Sequence, residues 1–173
     1  MTQGEIERIE IREAGRGERA LQEALRLAAL EDAPDAFGEP YDAIVVQPES
    51  YWRRLTASFA GRTGQIVLLG CLGGKPVGFV YGIRSKERDE ARLGGLWVEP
   101  HYRGQGVGRR LVQAIVDWAE SKGFPSIGLW APEHRPQVIA LYRSLGFEPT
   151  GVSRALPGDE QRRIIEMRRT NRG

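Results

Sequence analysis

The chain has 173 residues, of which 40% are hydrophobic and 28% are charged, and its formal net charge is +2. This composition is typical of one globular domain that is long enough to bury a core, and it excludes a disordered or fibrous chain. The sequence has no run of about 18 apolar residues, so it predicts no membrane-spanning helix.

The N-terminus and the scarce metal-binding residue types narrow the class further. The opening residues, MTQGEIERIEIRE, are charged from the start, which argues against a secretory signal and predicts a cytoplasmic protein. One cysteine and two histidines do not favour a structural zinc site, and we expect no metal. Cys71 lies in the apolar run IVLLGCL, and we interpret it as a small core residue rather than a reactive thiol.

The first third of the chain predicts a strand, two helices and a loop between them. Ile6, Ile9 and Ile11 favour a first strand within residues 5–12. Leucine and alanine recur at helical spacing in GERALQEALRLAALEDAP, which predicts a helix that ends before Pro34. Residues 32–45 are rich in Pro, Asp and Gly and predict a loop, and PESYWRRLTASF predicts the second helix. One face of that helix carries Trp52, Leu55 and Phe59.

From residue 65 the pattern changes to strands. QIVLLGCL and KPVGFVYGIRS are separated by Gly73–Gly74, a hairpin signal, and ARLGGLWVEP predicts a third strand. Gly94–Gly95 in the middle of that strand indicates either a bulge or the close approach of another backbone or a ligand.

The remaining segments alternate between helix and strand. A helix follows Gly106, with Val107, Leu111, Ile115 and Trp118 on its apolar face. PSIGLWAP predicts a strand, PQVIALYRSLG a helix, and FEPTG and QRRIIEMRR two last strands joined by the loop SRALPGDEQ. Together these elements predict an α/β (α+β-like) fold with a mixed, mostly antiparallel sheet of about seven strands, flanked by about four helices.

The stretch VEPHYRGQGVGRRLVQAIVDWAE, residues 98–120, passes through a glycine-rich turn into a helix. It does not match the dinucleotide fingerprint, because Arg109 replaces the third glycine, and no Lys-Ser/Thr follows to make a nucleoside triphosphate loop. Backbone N–H groups at a helix start have no intrahelical partner, and the helix dipole adds positive charge there. With Arg103 and Arg109 beside it, the turn is either an anion-binding site or a flexible junction.

A second pattern, LYRSLGF at residues 141–147, lies on the later helix. Alone, Tyr142 fits a core position. Read together, the two segments resemble the GNAT superfamily of acyl-CoA-dependent N-acetyltransferases of bacterial type, and the likeness covers nearly the whole chain, residues 1–173, as a single domain. The motif Arg/Gln-x-x-Gly-x-Gly/Ala is matched by Arg103, Gly106 and Gly108, and Leu-Tyr-x-x-x-Gly-Phe by Leu141, Tyr142, Gly146 and Phe147.

This resemblance implies a sheet that splays between the strand carrying LWV and the strand IGLWA, with the pantetheine arm of acetyl-CoA in the gap. It implies that an acetyl group passes to a primary amine of a small molecule or peptide by direct attack in a ternary complex, and that two chains pair as a homodimer. Tyr142 is then expected near the sulfur as the proton donor. The expected pantetheine- and carbonyl-binding residues are Leu96, Trp97 and Val98, and the expected pyrophosphate-binding residues are Arg103, Gly104, Gly106, Val107, Gly108 and Arg109.

Two positions depart from familiar members of the family. Trp130 stands where relatives such as ribosomal-protein N-terminal acetyltransferases carry a glutamate base, and Arg135 stands where an asparagine often contacts the cofactor. The remaining candidates for a base are also readily explained as solvated or structural residues, and none is assigned: Glu90, Glu99, Glu133 and His134.

Acceptor specificity is expected from the variable parts of the chain, namely the 32–45 loop, the Trp52 helix and the SRALPGDEQ loop. Four aromatic residues either line an acceptor pocket or belong to the core: Tyr41, Tyr51, Trp52 and Tyr81. The sequence alone does not choose among a small amine, an amino acid, an antibiotic and a protein N-terminus.

Two other classes of function compete with the enzyme. The missing carboxylate at Trp130 suits a non-catalytic acyl-CoA-binding regulatory module, although such a module has no use for Tyr142. The basic charge and several arginine pairs suggest nucleic-acid binding, but the pairs lie on separate predicted elements, which favours solvated faces. We therefore expect neither a nucleic-acid nor a membrane partner.

Overall fold

A computed structural model describes residues 8–37, 41–59 and 64–172 of the chain. Ile6 and the side chain of Phe59, named in two of the expectations above, lie outside the described part. The strands are β1 (Ile9–Glu13), β2 (Gln65–Leu72), β3 (Lys75–Arg84), β4 (Ala91–Val98), β5 (Ser126–Pro132), β6 (Glu148–Leu156) and β7 (Asp159–Thr170). The helices are α1 (Arg19–Asp32), α2 (Pro34–Phe37), α3 (Tyr41–Val45), α4 (Glu49–Phe59), α5 (Val107–Ser121) and α6 (Pro136–Ser144). Among these residues no helix is both long and apolar enough to cross a membrane.

The seven strands form one sheet in the order β1-β2-β3-β4-β5-β7-β6. Every neighbouring pair is antiparallel except β4 and β5, which are parallel. The mixed, mostly antiparallel sheet expected from the sequence is therefore confirmed. The described residues form six α-helices rather than about four, because two short helices, α2 and α3, lie in the segment expected to be a loop.

The hairpin between β2 and β3 turns on two glycines, as predicted. Gly73 and Gly74 have φ angles of 55° and 81°, which is the left-handed geometry that a tight two-residue turn requires. The turn aligns the two strands over their full lengths, and β4 adds to the far side of β3.

The sheet opens between β4 and β5. The two strands pair only where Ala91 faces Ile127 and Arg92 faces Gly128, and beyond these pairs they separate. From Leu93 to Val98, the edge of β4 that faces β5 therefore has no strand partner. This is the splay that the family resemblance implies.

A β-bulge shifts the register of β4 just beyond this opening. Phe79 pairs with Trp97 and Tyr81 pairs with Gly94, so two residues of β4 oppose one residue of β3. Gly95 has a φ of 63°, and a Cβ built on it would lie 2.3 Å from the Tyr81 ring. A Cβ on Gly94 would lie 2.5 Å from the same ring. The two glycines therefore form a bulge, the first of the two alternatives, and they leave room for the Tyr81 side chain to lie across it.

Helix α5 packs its apolar face on the sheet. The residues predicted for that face, Val107, Leu111, Ile115 and Trp118, are all buried. Glycines on the strands let the helix approach closely, because a Cβ on Gly82 would lie 2.7 Å from the Trp118 ring. Cys71 is also buried in the core, as predicted, and burial raises the pKa of its thiol.

The segment 32–45 corrects a sequence expectation. Its composition predicts a loop, but α2 and α3 are helical. Pro34 occupies a first helical position, and Asp35 and Asp42 lie in the first turns of the two helices, where acidic residues are favourable. These start signals are too local to produce the longer periodicity that predicts a helix.

The segment SRALPGDEQ is also not the loop that the sequence predicts. Residues 153–156 belong to β6 and residues 159–161 to β7, so only Pro157 and Gly158 remain in the turn. Strand β6 lies at the sheet edge and is exposed along almost its whole length. An exposed edge strand has no apolar alternation, so pattern reasoning does not detect it.

The close packing of α5 gives a test of the fold. Gly82→Ala puts a methyl group into the Trp118 ring, and we expect the free energy of unfolding to fall by about 1–3 kcal/mol. The control is Gly17→Ala, because a Cβ added to Gly17 meets nothing within 4 Å and the residue has an ordinary φ. Denaturant titration measures both variants, and equal stabilities would contradict the packing described for α5.

Candidate active site

The opening between β4 and β5 forms a cavity of about 240 Å³. Side chains of α6 and the start of α5 close it from the other sides. The predicted site residues that line it are Leu96, Trp97, Val98, Arg103, Gly108 and Tyr142. Gly104, Gly106 and Arg109 lie outside its lining, and Val107 packs into the core against β2. The fold thus brings residues from five elements, α2, β4, α5, β5 and α6, to one gap.

At one end of this cavity the backbone presents a row of hydrogen-bond donors. The N–H groups of residues 104–109 have no acceptor among the described residues, and the first bonded amide of the helix is that of Arg110, which donates to the Gly106 carbonyl. Gly104 and Gly106 have φ angles of 75° and 91°, which turn the chain so that the amides precede and open α5. This arrangement has the donors and the dipole of an anion-binding site.

The two arginines beside the turn, Arg103 and Arg109, differ in their ion pairs and hydrogen bonds. The Arg103 guanidinium pairs with Asp32, and its Nε donates to the Val98 carbonyl at 2.8 Å. Burial raises the pKa of Asp32, but hydrogen bonds from Trp97 and Arg103 outweigh it and hold that pKa below its usual value. Arg103 is therefore largely neutralised by a protein carboxylate. Within the described part of the chain, Arg109 donates to the Ser144 hydroxyl at 2.7 Å and to no other side chain, and the residue is exposed.

Tyr142 is a core residue, as its spacing alone predicts, and it also lines the gap. It is 5% exposed and packs edge-on against Phe147, with ring centroids 5.8 Å apart, so it is a core residue. Its hydroxyl has no hydrogen-bond partner among the described residues, and the residue lines the gap. Burial raises the pKa of Tyr142, so the hydroxyl stays protonated and is available to donate.

A second cavity, of about 840 Å³, meets the first one at the bulge. Gly94, Gly95 and Trp130 line both cavities. A third, apolar cavity of about 280 Å³ lies between α1, α4 and the sheet, and it shares Tyr81 and Ile83 with the second. The bulge is therefore accessible from two directions.

Of the four aromatic residues considered for an acceptor pocket, two line these cavities. Tyr81 borders the second and third cavities, and Trp52 borders the third while being 2% exposed. Tyr51 packs edge-on against Trp52 at a centroid distance of 5.2 Å, and Tyr41 packs on the same cluster. Tyr41 and Tyr51 thus belong to the core.

Trp130 occupies the position expected for a glutamate base, and two arginine side chains lie against its ring. The guanidinium carbon of Arg154 lies 4.1 Å from the centre of its ring, and that of Arg92 lies 5.7 Å away. These two guanidinium groups would repel a protonated amine that lay beside the ring.

None of the four candidate bases is free at the bulge. Glu90 lines the second cavity, but one of its oxygens accepts from Arg92 at 3.1 Å and the other from Arg168 at 2.9 Å. Glu99 lies 3.7 Å from Lys75, and Glu133 is exposed; neither of these two nor His134 lines either cavity at the bulge.

Sequence reasoning missed a second buried carboxylate, Glu166, which is 5% exposed. Burial raises the pKa of Glu166, but hydrogen bonds from Thr150 and Arg92 outweigh it and keep the group ionised. In the sequence, Glu166 stands in the charged run QRRIIEMRR and resembles an exposed residue. Only the alternation of Ile164 and Glu166 on one face of β7 hints at its burial.

Helix α2 bridges the open side of the gap through Asp35. This carboxylate accepts from His134 Nε2 at 2.6 Å and from Arg135 Nη2 at 2.8 Å, and Arg162 Nη1 lies 3.3 Å away. Arg135, which replaces the usual asparagine, is therefore held by Asp35. The segment from Asp32 to Asp35 is paired to the glycine-turn side at one end and to the α6 side at the other.

The fold is shared with solved acetyltransferases. A GNAT-family acetyltransferase from Streptococcus pneumoniae superposes with a TM-score of 0.78 at 23% identity, over 94% of this chain and 99% of that one. The sheet and the gap thus have the fold of that acetyltransferase. The sequence profile of the acetyltransferase (GNAT) family matches residues 30–147, and the chain belongs to this family.

Two curated relatives show how far the sequence likeness extends. The aminoglycoside N(6')-acetyltransferase type 1 of Stenotrophomonas maltophilia is 29% identical over 147 residues, which are 81% of this chain and 86% of that enzyme. The ribosomal protein bS18-alanine N-acetyltransferase of Escherichia coli is 38% identical over 66 residues, which are 38% of this chain and 45% of that enzyme. The chain spans less than half the length of the curated relatives it matches first.

The Asp35 contacts predict a pH-dependent contribution to stability. Burial raises the pKa of Asp35, but hydrogen bonds from His134 and Arg135 outweigh it and hold the pKa below the usual 3.8. A depressed carboxyl pKa stabilises the fold above 3.8, and this stabilisation is lost as the pH falls through the lower, folded-state value. We expect Asp35→Asn to lower the free energy of unfolding by about 1–3 kcal/mol at neutral pH, and less as the pH falls below about 4.

Denaturant titrations from neutral to acid pH measure this difference. Asp42→Asn is the control, because Asp42 is exposed on the neighbouring helix and makes none of these contacts. A pH-independent difference for Asp35→Asn would show that the ion pairs do not stabilise the bridge.

Proposed function

We propose that the protein transfers the acetyl group of acetyl-CoA to a primary amine by direct attack in a ternary complex. The observation that carries this proposal is the row of six unbonded N–H groups at one end of a gap whose other end opens into a second cavity. The two sides give separate approaches for an anionic donor and for an acceptor.

The gap fits acetyl-CoA by the chemistry of its parts. The pyrophosphate accepts hydrogen bonds from the amides of Gly104, Gly106, Val107, Gly108 and Arg109, where the α5 dipole adds to the attraction. Arg109 contributes charge, whereas Arg103, already paired with Asp32, chiefly positions the turn. The pantetheine arm carries amides that suit the unpaired edge of β4 at Leu96, Trp97 and Val98.

The transfer requires stabilisation of one negative charge and delivery of one proton. The amine nitrogen attacks the thioester carbon, and a strand N–H beside the bulge, within Leu96–Val98, stabilises the oxyanion that forms. Collapse of this intermediate breaks the C–S bond, the Tyr142 hydroxyl gives its proton to the departing thiolate, and Tyr142 recovers a proton from the solvent that took the one lost by the amine. A thiol has an ordinary pKa of about 8.5 and a tyrosine one of about 10, and burial raises the pKa of Tyr142, so Tyr142 carries its proton when the thiolate departs.

The amine must also lose a proton, and no carboxylate lines the described surface that the two cavities share. A lysine-like amine with a pKa of about 10.4 is neutral in only about one molecule in 10³ at pH 7. The second cavity is open to solvent, so water in it is the acceptor of this proton. A less basic amine needs less help and suits this site better.

The non-catalytic acyl-CoA-binding module is the competing proposal. It accounts for Trp130 and for the six amides, but it gives no use to the unbonded Tyr142 hydroxyl or to the second cavity. Pairing of two chains through the exposed edge strand β6 stays a prediction from the family resemblance.

Binding of acetyl-CoA tests the donor site directly. Gly108→Glu is tolerated by the fold, because its Cβ meets only Val98 and Leu141 at 3.7 and 3.8 Å and an acid in the first turn favours a helix. Its carboxylate repels the pyrophosphate, and we expect the Kd measured by calorimetry to rise by at least about tenfold. Gly17→Glu, the same change at an exposed position outside the gap, is expected to bind like the wild type.

Unchanged binding by the Gly108→Glu protein would show that the pyrophosphate does not bind at this turn. Absence of acetyl-CoA binding by the wild type would refute the donor assignment altogether. Turnover of any amine above the background rate excludes the non-catalytic module.

Tyr142→Phe separates catalysis from binding. The hydroxyl makes no hydrogen bond to the described residues, so we expect the variant to keep its stability and its Kd for acetyl-CoA. Loss of the proton donor is expected to lower kcat on the order of 10²-fold, measured by the release of free thiol. A variant with full kcat would leave Tyr142 as a packing residue only.

A further inference from the structure

The lining of the second cavity has more basic than acidic side chains. In the proposed function the acceptor approaches the bulge through this cavity. Among the described residues, six of the charged side chains that line it are basic and three are acidic. Two of the basic ones are ion-paired: Arg84 with Asp89, and Arg92 with Glu90 and Glu166. Two of the three acids, Glu90 and Glu166, are 3% and 5% exposed. The charge that an acceptor meets therefore depends on whether these acids are available.

Both buried acids are already neutralised by arginines of the sheet. Arg92 lies 3.1 Å from each of them, and Arg168 lies 2.9 Å from Glu90 and 3.3 Å from Glu166. The second oxygen of Glu166 accepts from the Thr150 hydroxyl at 2.9 Å. An incoming ammonium group would have to displace buried ion pairs to reach either carboxylate, which is costly.

Arg154 on β6, by contrast, is placed to attract a negatively charged group of the acceptor. It lies on the Trp130 ring, and its guanidinium has no carboxylate partner among the described residues. Trp130 lines both the gap and the second cavity, so Arg154 stands one ring away from the place where the cavities meet. A guanidinium held on an aromatic face presents its N–H groups in the fork that matches a carboxylate or a phosphonate.

The neighbouring apolar cavity accounts for the rest of the acceptor. It is lined by Trp52, Tyr81 and Ile83, among others, and it borders the second cavity at Tyr81, Ile83 and Arg26, which line both. Its volume of about 280 Å³ fits a side chain rather than a folded protein surface. The site thus offers a place for an anion and a place for an apolar group.

We infer that the acceptor is a small amine that also carries an acidic group and an apolar side chain, such as an α-amino acid with an apolar side chain or its phosphonate analogue. This inference rests on the proposed function. It excludes polycationic acceptors, because the open charge of the cavity is of the same sign as theirs.

The test compares acceptors that differ only in the acidic group. Leucine, methionine and phenylalanine are assayed against their neutral amides, with the phosphonate analogue of phenylalanine and the polyamine spermidine as further arms. The amides have the less basic amines and are the easier nucleophiles at neutral pH. A preference for the acids therefore cannot come from amine basicity. We expect kcat/KM for the acids, or for the phosphonate, to exceed that for the amides by at least about tenfold, and the better of the two identifies the anion.

A variant assigns this preference to Arg154. Arg154→Met keeps an apolar chain on Trp130 and removes the charge, so we expect kcat/KM for the acids to fall by about tenfold or more, with the amides unchanged. Arg163→Met is the matched control, because Arg163 bonds Ser153, the neighbour of Arg154 on the other face of β6, and does not line the cavity.

The outcomes separate the two proposals. If amides or spermidine are acetylated as well as the acids or better, the acceptor inference is wrong while the proposed function stands. If Arg154→Met leaves the preference intact, Arg154 is not its source and the inference fails as stated. If acetyl-CoA binds but none of the acids and not the phosphonate is acetylated, the acceptor inference is wrong, whereas the proposed function fails only if no primary amine of any class is acetylated above the background rate.

Discussion

The loss of pairing between β4 and β5 is the constraint on which the rest of the site depends. If the two parallel strands had continued side by side, their backbone N–H and C=O groups would have formed hydrogen bonds with each other, and no space would remain between them. Because pairing stops after Arg92 and Gly128, the edge of β4 is left for a ligand. The bulge at Gly94 and Gly95 then turns this edge, and α5 begins at the end of the gap with its amides unbonded.

The polar groups around the gap are arranged to keep charge out of the reacting centre. Glu90, Glu166, Arg92 and Arg168 neutralise one another beneath the sheet, and Asp32 takes up the charge of Arg103. The described residues that line both cavities are uncharged: glycine backbone at Gly94 and Gly95, the Trp130 indole and apolar side chains such as Phe37 and Leu93. Such a centre suits a neutral amine, and in the functions proposed above charge recognition falls to Arg154 and Arg109 at its borders, where solvent still reduces the cost of ionisation.

Much of this was predictable from the sequence, and the failures share a physical cause. The hairpin, the bulge, the buried face of α5 and the glycine turn follow from short patterns whose geometry is local. The helices α2 and α3 and the full length of β6 were missed, because they are short or exposed and carry no apolar periodicity. The pairing of Asp35 with His134 and Arg135 joins residues about a hundred positions apart, and no local pattern encodes it.

The segment from Asp32 to Asp35 has a mechanical consequence. It is fastened to the glycine turn through Arg103 and to α6 through Arg135, on either side of strands that are not bonded to each other. An extended chain advances at most about 3.3–3.6 Å per residue, so three residue steps span roughly 10 Å. While both ion pairs hold, this segment sets an upper limit on the distance between the β4 side and the β5 side of the gap. Wider opening must break one ion pair, and dissolved salt makes that easier.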